Sequence, residues 1–168
     1  DVEGVISAES GYSGGHVENP TYQQVSGEKS GHQEVVRVRF DADKISYATL
    51  LQHYWRNIDP LDGQGQFCDR GDSYRPVIFT AGEQQATAAQ ASAASAASEL
   101  GVSKSKIKVQ IRDAVQFWPA EDYHQNYANN NELRYRYYRF SCGRDRRLDA
   151  VWGERARSGA SWVAPQTP

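Results

Sequence analysis

The chain has 168 residues, of which 39% are hydrophobic and 24% are charged, and its formal net charge is −2 at neutral pH. This composition predicts one globular domain, and the small net charge gives no electrostatic reason to expect binding to nucleic acid or to an anionic membrane. No apolar run approaches the roughly 20 residues of a membrane helix, no signal peptide is visible, and two cysteines cannot form a disulfide scaffold. We expect a cytoplasmic monomer whose two thiols are either redox-active or inert.

The N-terminal part of the sequence predicts two strands separated by a long polar loop. Residues 4–10 form a short strand, and the stretch that follows is dense in Gly, Pro, Asn and Ser. In the segment SGHQEVVRVRF, Val36, Val38 and Phe40 alternate with arginines, which is the pattern of a strand with one buried face. Side chains two positions apart share a face, so Glu34 lies on the apolar side of this strand.

A carboxylate on an apolar face is costly to remove from water and usually takes up a proton or a partner. Burial raises the pKa of a glutamic acid, which can then stay protonated near neutral pH and act as a general acid. Glu34 is therefore a candidate catalytic residue. The alternative is that the strand frays here and Glu34 turns to solvent.

The rest of the chain alternates helices and strands. Ser46 is predicted to cap a helix whose apolar residues recur at helical spacing, and YRPVIFT is predicted to be a strand. Thr80 and Glu83 form a T-x-x-E capping box, which predicts that an alanine-rich helix opens there. KIKVQI (106–111) alternates as a strand, and a short helix is predicted around 146–151.

This order of elements predicts a single α+β domain with two layers, in which helices pack against one sheet. The domain is expected to span residues 1–153, and residues 154–168 are expected to form a loose tail. There is no internal repeat and no linker to a second domain.

Several common kinds of site are not supported by the sequence. Histidine, cysteine and carboxylate residues are present without CxxC, HxxxH or HExxH spacing, so no metal site is expected. The GxSxG turn of many hydrolases is absent, and the glycine-rich GYSGGH lacks the lysine of a phosphate-binding loop. What remains is a pocket with tyrosines, a glutamic acid and cysteines, where tyrosine hydroxyls can hold an oxygen that gathers negative charge.

Six segments of the chain resemble, in order and spacing, the peptide methionine sulfoxide reductases of the A type. They are GYSGG, NPTYQQVSG, GHQEVVRVRFD, ISYATLLQHYWRNIDP, QGQFCDRGDSYRPVIF and PAEDYHQNY. The resemblance covers about residues 2–153 and implies a ferredoxin-like two-layer sandwich.

The resemblance also implies roles for individual residues. Glu34 matches the family's proton donor, Tyr22 and Tyr74 match the tyrosines that bind the oxygen, and Asp69 matches the carboxylate of a water network. Two further residues of the PAEDYHQNY segment, Tyr127 and His124, are expected to bind the substrate.

The implied reaction is thiol-dependent reduction of methionine S-sulfoxide, free or in proteins, as a repair of oxidative damage. A cysteine thiolate attacks the sulfur while Glu34 protonates the oxygen, and the resulting sulfenic acid condenses with a second thiol to a disulfide. Thioredoxin or another dithiol is the implied reductant, and no other cofactor is implied.

The family's nucleophilic cysteine lies in a GCFW motif about ten residues upstream of Asp1, and neither cysteine of this chain matches it. We expect the parent protein to carry that motif and the 168-residue chain alone to be inactive. Cys142 is the better candidate for the resolving thiol, because neighbouring arginines lower a thiol pKa. Cys68, beside Asp69, is the alternative, and a third interpretation is that both thiols are inert.

Two rival interpretations remain. The chain could be an inactive relative that only binds oxidised methionine, which a full-length sequence lacking the upstream cysteine would indicate. It could also be a ferredoxin-like nucleic-acid-binding module that stacks bases on YRYYRF, although the acidic balance and the lack of an RNP-type motif oppose this.

Overall fold

The computed structural model describes residues 2–163 and shows a mixed fold of helices and strands, as predicted. The strands are β1 (Val5–Ser13), β2 (Gln33–Phe40), β3 (Gly65–Gln66), β4 (Asp69–Arg70), β5 (Val77–Thr80), β6 (Gln110–Asp113) and β7 (Phe117–Pro119). The helices are α1 (Tyr22–Ser26), α2 (Tyr47–Trp55), α3 (Glu83–Glu99), α4 (Tyr127–Asn130), α5 (Glu132–Ser141) and α6 (Arg144–Trp152). No helix in this part of the chain combines the length and the apolar character needed to cross a membrane.

The strands of residues 2–163 pair into three small sheets and not into the single predicted sheet. An antiparallel sheet has the order β2-β1-β7, a two-stranded antiparallel sheet joins β3 to β4, and a parallel pair joins β5 to β6. The ferredoxin-like arrangement is not confirmed by this pairing and stays a prediction.

β1 is longer than the strand predicted over residues 4–10, because its last three residues pair on both sides. Tyr12 lies opposite Glu34 of β2 and opposite Trp118 of β7. The segment GYS, predicted to open the loop, is therefore the end of the strand. This register places Tyr12 directly beside Glu34, and Trp118 on the far side of Tyr12.

The predicted buried face of β2 is wrong over most of its length. Val36 is 58% exposed and Val38 is 40% exposed. The Glu34 end of this strand is covered, because helix α1 and the turn Asp72–Tyr74 lie there, and Phe40 at the other end is half-buried against Tyr47. Glu34 is thus more enclosed than the two valines on its face.

The main core lies between helices α2, α3 and α6. Ser46 caps α2 as predicted, its hydroxyl accepting from the backbone N–H of Thr49 at 3.0 Å. The alanines of α3 allow close packing against Trp55, whose indole N–H donates to Ser92 at 2.8 Å. The fully enclosed members of this cluster are Leu51, Trp55, Ile78, Ala89, Ala93, Ala96, Leu148 and Trp152.

The predicted capping box at Thr80 is wrong. Thr80 is the last residue of β5, and its buried hydroxyl donates to the carbonyl of Arg112 at 3.3 Å. Helix α3 begins at Glu83 after Gly82, which has no side chain to cap it. The Thr80 hydroxyl therefore makes a hydrogen bond to a distant strand, and not the helix-capping bond that the local pattern predicted.

The strand predicted at 106–111 is shifted towards the C-terminus. Residues Lys104–Lys106 form a 3₁₀ turn, and the strand begins only at Gln110. Ile107 and Val109 nevertheless pack against the main core on one side, as the alternation predicted. The alternation over residues 106–111 therefore predicted which side chains face the core, but it did not predict the backbone conformation.

A buried ion pair anchors the C-terminal segment. Arg56 is fully buried and donates to both carboxylate oxygens of Glu99, at 3.0 and 2.9 Å, and to the carbonyl of Ala160. Its guanidinium carbon lies 4.7 Å from the centre of the Trp162 ring. The segment predicted as a loose tail thus contacts the core in its described part, and residues 164–168 lie outside the described residues.

Candidate active site

Glu34 occupies a half-buried position at the start of β2, within the β1–β2 ladder. Its Oε1 is inaccessible to solvent and has no hydrogen-bond partner among the described residues. Burial raises the pKa of Glu34 to about 7; the Tyr74 hydroxyl lowers it, and the nearby carboxylates of Asp69, Glu28 and Glu121 raise it further. A substantial fraction of this carboxyl group is therefore protonated at neutral pH.

Tyr22 and Tyr74 bring two hydroxyl groups together beside Glu34. Their oxygens are 3.5 Å apart, although the residues come from helix α1 and from the turn Asp72–Tyr74. Helix α1 begins at Tyr22 because Thr21 and Gln24 form a complete capping box. Burial, the Tyr22 hydroxyl and Glu34 raise the pKa of Tyr74, so its hydroxyl stays a neutral donor.

Glu121 orients two of the aromatic residues. Its carboxylate accepts from the backbone N–H of Tyr22 at 2.8 Å and from the Tyr12 hydroxyl at 3.2 Å. Burial raises the pKa of Glu121, but these hydrogen bonds outweigh it and hold the pKa below its usual value. The sequence analysis gave Glu121 no role, and the structure makes it the ionised counterpart of Glu34.

His124 lies beside these groups, whereas Tyr127 is not linked to them. The His124 ring centre is 4.6 Å from that of Tyr22, and its Nε2 is 3.6 Å from Glu121. Tyr127 begins helix α4 and makes no side-chain hydrogen bond or ring contact with the other candidates in the described part of the chain. The sequence assigned both residues to one substrate-binding group, and the structure joins only His124 to the tyrosines.

An apolar wall completes the site. Trp118 of β7 packs with Tyr12 and Tyr22 against Val25 and Ala120. Such a surface suits an apolar group attached to the atom that the polar side chains would hold.

Asp69 is held by a residue that the sequence analysis missed. The Tyr138 hydroxyl on helix α5 is 2.6 Å from both carboxylate oxygens of Asp69 and donates to this group. Burial and the contact with Asp69 raise the pKa of Tyr138. The only signal in the sequence is indirect, since Tyr138 lies one helical turn before Cys142 and Asp69 directly follows Cys68.

The two cysteines are joined to each other. Cys68 and Cys142 form a disulfide with Cα atoms 5.4 Å apart. The sequence analysis treated them as separate candidates for one resolving thiol and did not consider this pairing. Together with the Tyr138–Asp69 contact, the disulfide attaches helix α5, which has no buried residue, to the edge of the site.

This arrangement can transfer a proton and stabilise a developing negative charge. A neutral carboxylic acid near two phenolic hydroxyls can protonate an oxygen that the hydroxyls hold. Within residues 2–163, no group of three or more His, Cys, Asp or Glu side chains is placed to bind a metal ion. The chemistry that Glu34 and the two tyrosine hydroxyls supply is general acid catalysis.

Comparison with known proteins identifies close relatives. The family model for peptide methionine sulfoxide reductase matches residues 1–156, a range that includes every residue of the site. The peptide methionine sulfoxide reductase MsrA 2 of Rhizobium meliloti is 48% identical over 160 residues, covering 95% of this chain and 78% of that protein. The protein of the same name from Caulobacter vibrioides is 51% identical over 152 residues, covering 90% and 76%.

Two solved structures are similar in fold. Methionine sulfoxide reductase A of Corynebacterium diphtheriae aligns with a TM-score of 0.70 and 31% identity, covering 77% of this chain and 66% of that chain. Mxr1 from Saccharomyces cerevisiae in its reduced form aligns with a TM-score of 0.72, covering 77% and 74%. Its identity is 24%, so this second likeness concerns the fold alone.

Proposed function

This chain belongs to the peptide methionine sulfoxide reductase family, a family of oxidoreductases, and we propose that its site reduces the S-epimer of methionine sulfoxide, free or in proteins. The observation that carries the proposal is Glu34, whose buried Oε1 has no hydrogen-bond partner within residues 2–163 and whose pKa of about 7 lets it hold a proton for the sulfoxide oxygen.

Each group at the site has a part in this reaction. Tyr22 and Tyr74 donate hydrogen bonds to the sulfoxide oxygen, and Trp118 packs against the methyl group on sulfur. A cysteine thiolate attacks the sulfur, the Glu34 proton goes to the oxygen, and methionine leaves with a sulfenic acid on the enzyme. We place that cysteine upstream of residue 1, as the resemblance to the family implies, because neither cysteine of this chain matches its motif.

The Cys68–Cys142 disulfide supports a relay that regenerates the nucleophile. One of the two thiols condenses with the sulfenic acid and releases water, and the other then attacks this mixed disulfide. The products are the free nucleophile and the Cys68–Cys142 disulfide, which thioredoxin or another dithiol reduces by exchange. Either cysteine can act first, so the assignment of Cys142 as the resolving thiol stays a prediction.

The rival interpretations are not favoured. YRYYRF lies in helix α5 and not on a sheet surface, and Arg136 and Arg139 pair with Glu132 and Asp145. Membership in an enzyme family likewise disfavours an inactive binding protein. A cytoplasmic location and a monomeric state stay expectations.

The test compares the 168-residue chain with the same chain extended upstream to include the family's GCFW motif. Both are incubated with N-acetyl-methionine S-sulfoxide and dithiothreitol, and methionine formation is followed by chromatography. We expect turnover only in the extended protein, and none with the R-epimer. Robust turnover by the 168-residue chain would contradict the upstream nucleophile, and no turnover by the extended protein would contradict the proposed reaction.

A further inference from the structure

The turn that carries Tyr74 is capped by a carboxylate from a distant part of the chain. The Oε2 of Glu28 accepts from the backbone N–H groups of Asp72 and of Ser73, the latter at 3.3 Å. Its Oε1 accepts from the Ser73 hydroxyl at 2.8 Å. Three donors of one turn thus converge on a single side chain.

The backbone on each side is shaped for this contact. Glu28 itself has a φ of +62°, which is uncommon for a residue with a side chain. Gly71, just before the turn, has a φ of +121°, and a Cβ there would lie 2.6 Å from the Glu28 Oε1. A larger residue at position 71 would displace the carboxylate, and Gly71 offers no side chain of its own to cap the turn.

Glu28 also connects the two elements that carry the oxygen-binding tyrosines. It follows helix α1, which begins with Tyr22, and it binds the turn that ends with Tyr74. Ser73, which donates two of the three hydrogen bonds, is 1% exposed, so its position is fixed by packing as well. We propose that Glu28 is a positioning residue that fixes the spacing of the Tyr22 and Tyr74 hydroxyls and so strengthens binding of the sulfoxide oxygen.

The three hydrogen bonds from the Asp72–Tyr74 turn to Glu28 are called the Glu28 clamp below. The identity of the bound oxygen rests on the proposed function, whereas the clamp rests on geometry alone. Glu28 is exposed, and its charge acts on Glu34 together with those of Asp69 and Glu121. Loss of charge must therefore be separated from loss of hydrogen bonds.

Two substitutions separate these effects. Glu28→Gln removes the charge but keeps an oxygen to accept from the two amides and an amino group to donate to Ser73. Glu28→Ala removes both the charge and the hydrogen bonds. Glu18→Ala is the matched control, because Glu18 is an exposed acid of the same β1–β2 connection, on the other side of helix α1, and makes no side-chain hydrogen bond among the described residues.

The experiment uses the 168-residue chain, because binding needs no nucleophile. Affinity for N-acetyl-methionine S-sulfoxide is measured by NMR titration. Nuclear Overhauser effects without ligand measure the approach of the ring protons next to the Tyr22 and Tyr74 hydroxyls, whose oxygens are 3.5 Å apart, and this approach is called the ring contact below. We expect Glu28→Ala to weaken binding on the order of tenfold and to lose the ring contact. Glu28→Gln should stay within about threefold of the parent and keep the ring contact, and Glu18→Ala should change neither.

Two results would overturn the clamp. One is a Glu28→Ala variant with the parent's affinity and ring contact. The other is a Glu28→Gln variant as impaired as Glu28→Ala, which would assign the effect to charge. If the 168-residue chain does not bind the sulfoxide, affinity is measured in the protein extended to the GCFW motif, and absence of binding there contradicts the proposed function. In either case the ring contact decides whether Glu28 sets the spacing.

Discussion

Glu34 and Glu99 are both withdrawn from solvent, and the protein treats them in opposite ways. Glu34 lies near other carboxylates, its buried Oε1 has no hydrogen-bond partner in the described part of the chain, and burial raises its pKa to about 7. Burial also raises the pKa of Glu99, but the Arg56 hydrogen bonds outweigh it, and the pKa of Glu99 stays below its usual value. The difference shows that burial alone does not decide the charge of a carboxyl group, because the neighbours supplied by the fold do.

The largest expected effect is a loss of stability when Glu99, the glutamate paired with Arg56, is substituted. Glu99→Gln should lower the free energy of unfolding by about 3–5 kcal/mol, because it leaves the fully buried Arg56 without its counter-ion. Urea unfolding measures this change, and sulfoxide binding should remain as in the parent. Glu132→Gln is the control, since its ion pair with Arg136 is exposed and should contribute little.

A double substitution sharpens the same point. Arg56→Met combined with Glu99→Leu should unfold at a higher urea concentration than either single variant, because no isolated charge remains buried. If the double variant is no more stable than Arg56→Met alone, the buried charge is not the source of the loss.

For Glu34, in contrast to Glu99, substitution should reduce activity and not stability. In a protein with the upstream cysteine, Glu34→Gln should reduce kcat/KM on the order of 10² or more, because the amide cannot donate the proton. The free energy of unfolding should not fall, since the substitution removes an acid whose ionised form is disfavoured by burial and by the nearby carboxylates. A variant with near-parental activity between pH 6 and 8 would remove Glu34 from the mechanism.

A smaller effect is expected when one tyrosine hydroxyl is removed, either from the site at Tyr74 or from the core at Tyr54. Tyr74→Phe should lower kcat/KM on the order of tenfold, because one donor to the sulfoxide oxygen is lost. Tyr54→Phe is the control in the core, where the hydroxyl donates to the carbonyl of Val77 at 3.2 Å. It should lower stability by about 1 kcal/mol and leave the rate unchanged. Equal rate losses in the two variants would argue against a specific role for Tyr74.

The smallest effect is the pH dependence of stability. The folded protein holds the Glu34 proton more tightly than the unfolded chain, so the Glu34 contribution to unfolding free energy falls as pH rises from about 4.5 to about 7. Glu99 has a lowered pKa, and its contribution is lost as pH falls below the usual range for glutamate. Urea midpoints across this interval should decline less in Glu34→Gln than in the parent. Identical profiles would show that Glu34 is not perturbed by burial.

The enclosed position of Glu34 could be predicted from the sequence because the signal is local, whereas its catalytic role stays a prediction. Two-residue alternation placed a carboxylate on an apolar face, and the β1–β2 register confirms that Glu34 shares its face with Tyr12. The same alternation was wrong about Val36 and Val38, because burial of a strand face depends on what packs against it. At Thr80, likewise, a distant carbonyl competes with the nearby helix end.

The supporting contacts of the site could not be predicted from the sequence. Glu28 reaches a turn 44 residues away, and Tyr138 reaches Asp69 across 69 residues. Neither residue carries a pattern that distinguishes it from an ordinary surface side chain. Hydrogen bonds between distant segments become visible only when the chain is folded.

The Cys68–Cys142 disulfide links the chemistry to the entropy of the unfolded chain. The two residues are 74 positions apart, and closing a loop of that length restricts the unfolded ensemble enough to stabilise the folded state by about 4 kcal/mol. In the proposed relay this bond forms after each turnover and is broken when the reductant acts. The free energy of unfolding is therefore higher after each turnover, when the disulfide is present. It is lowest in the reduced enzyme, which is the form that is ready for substrate.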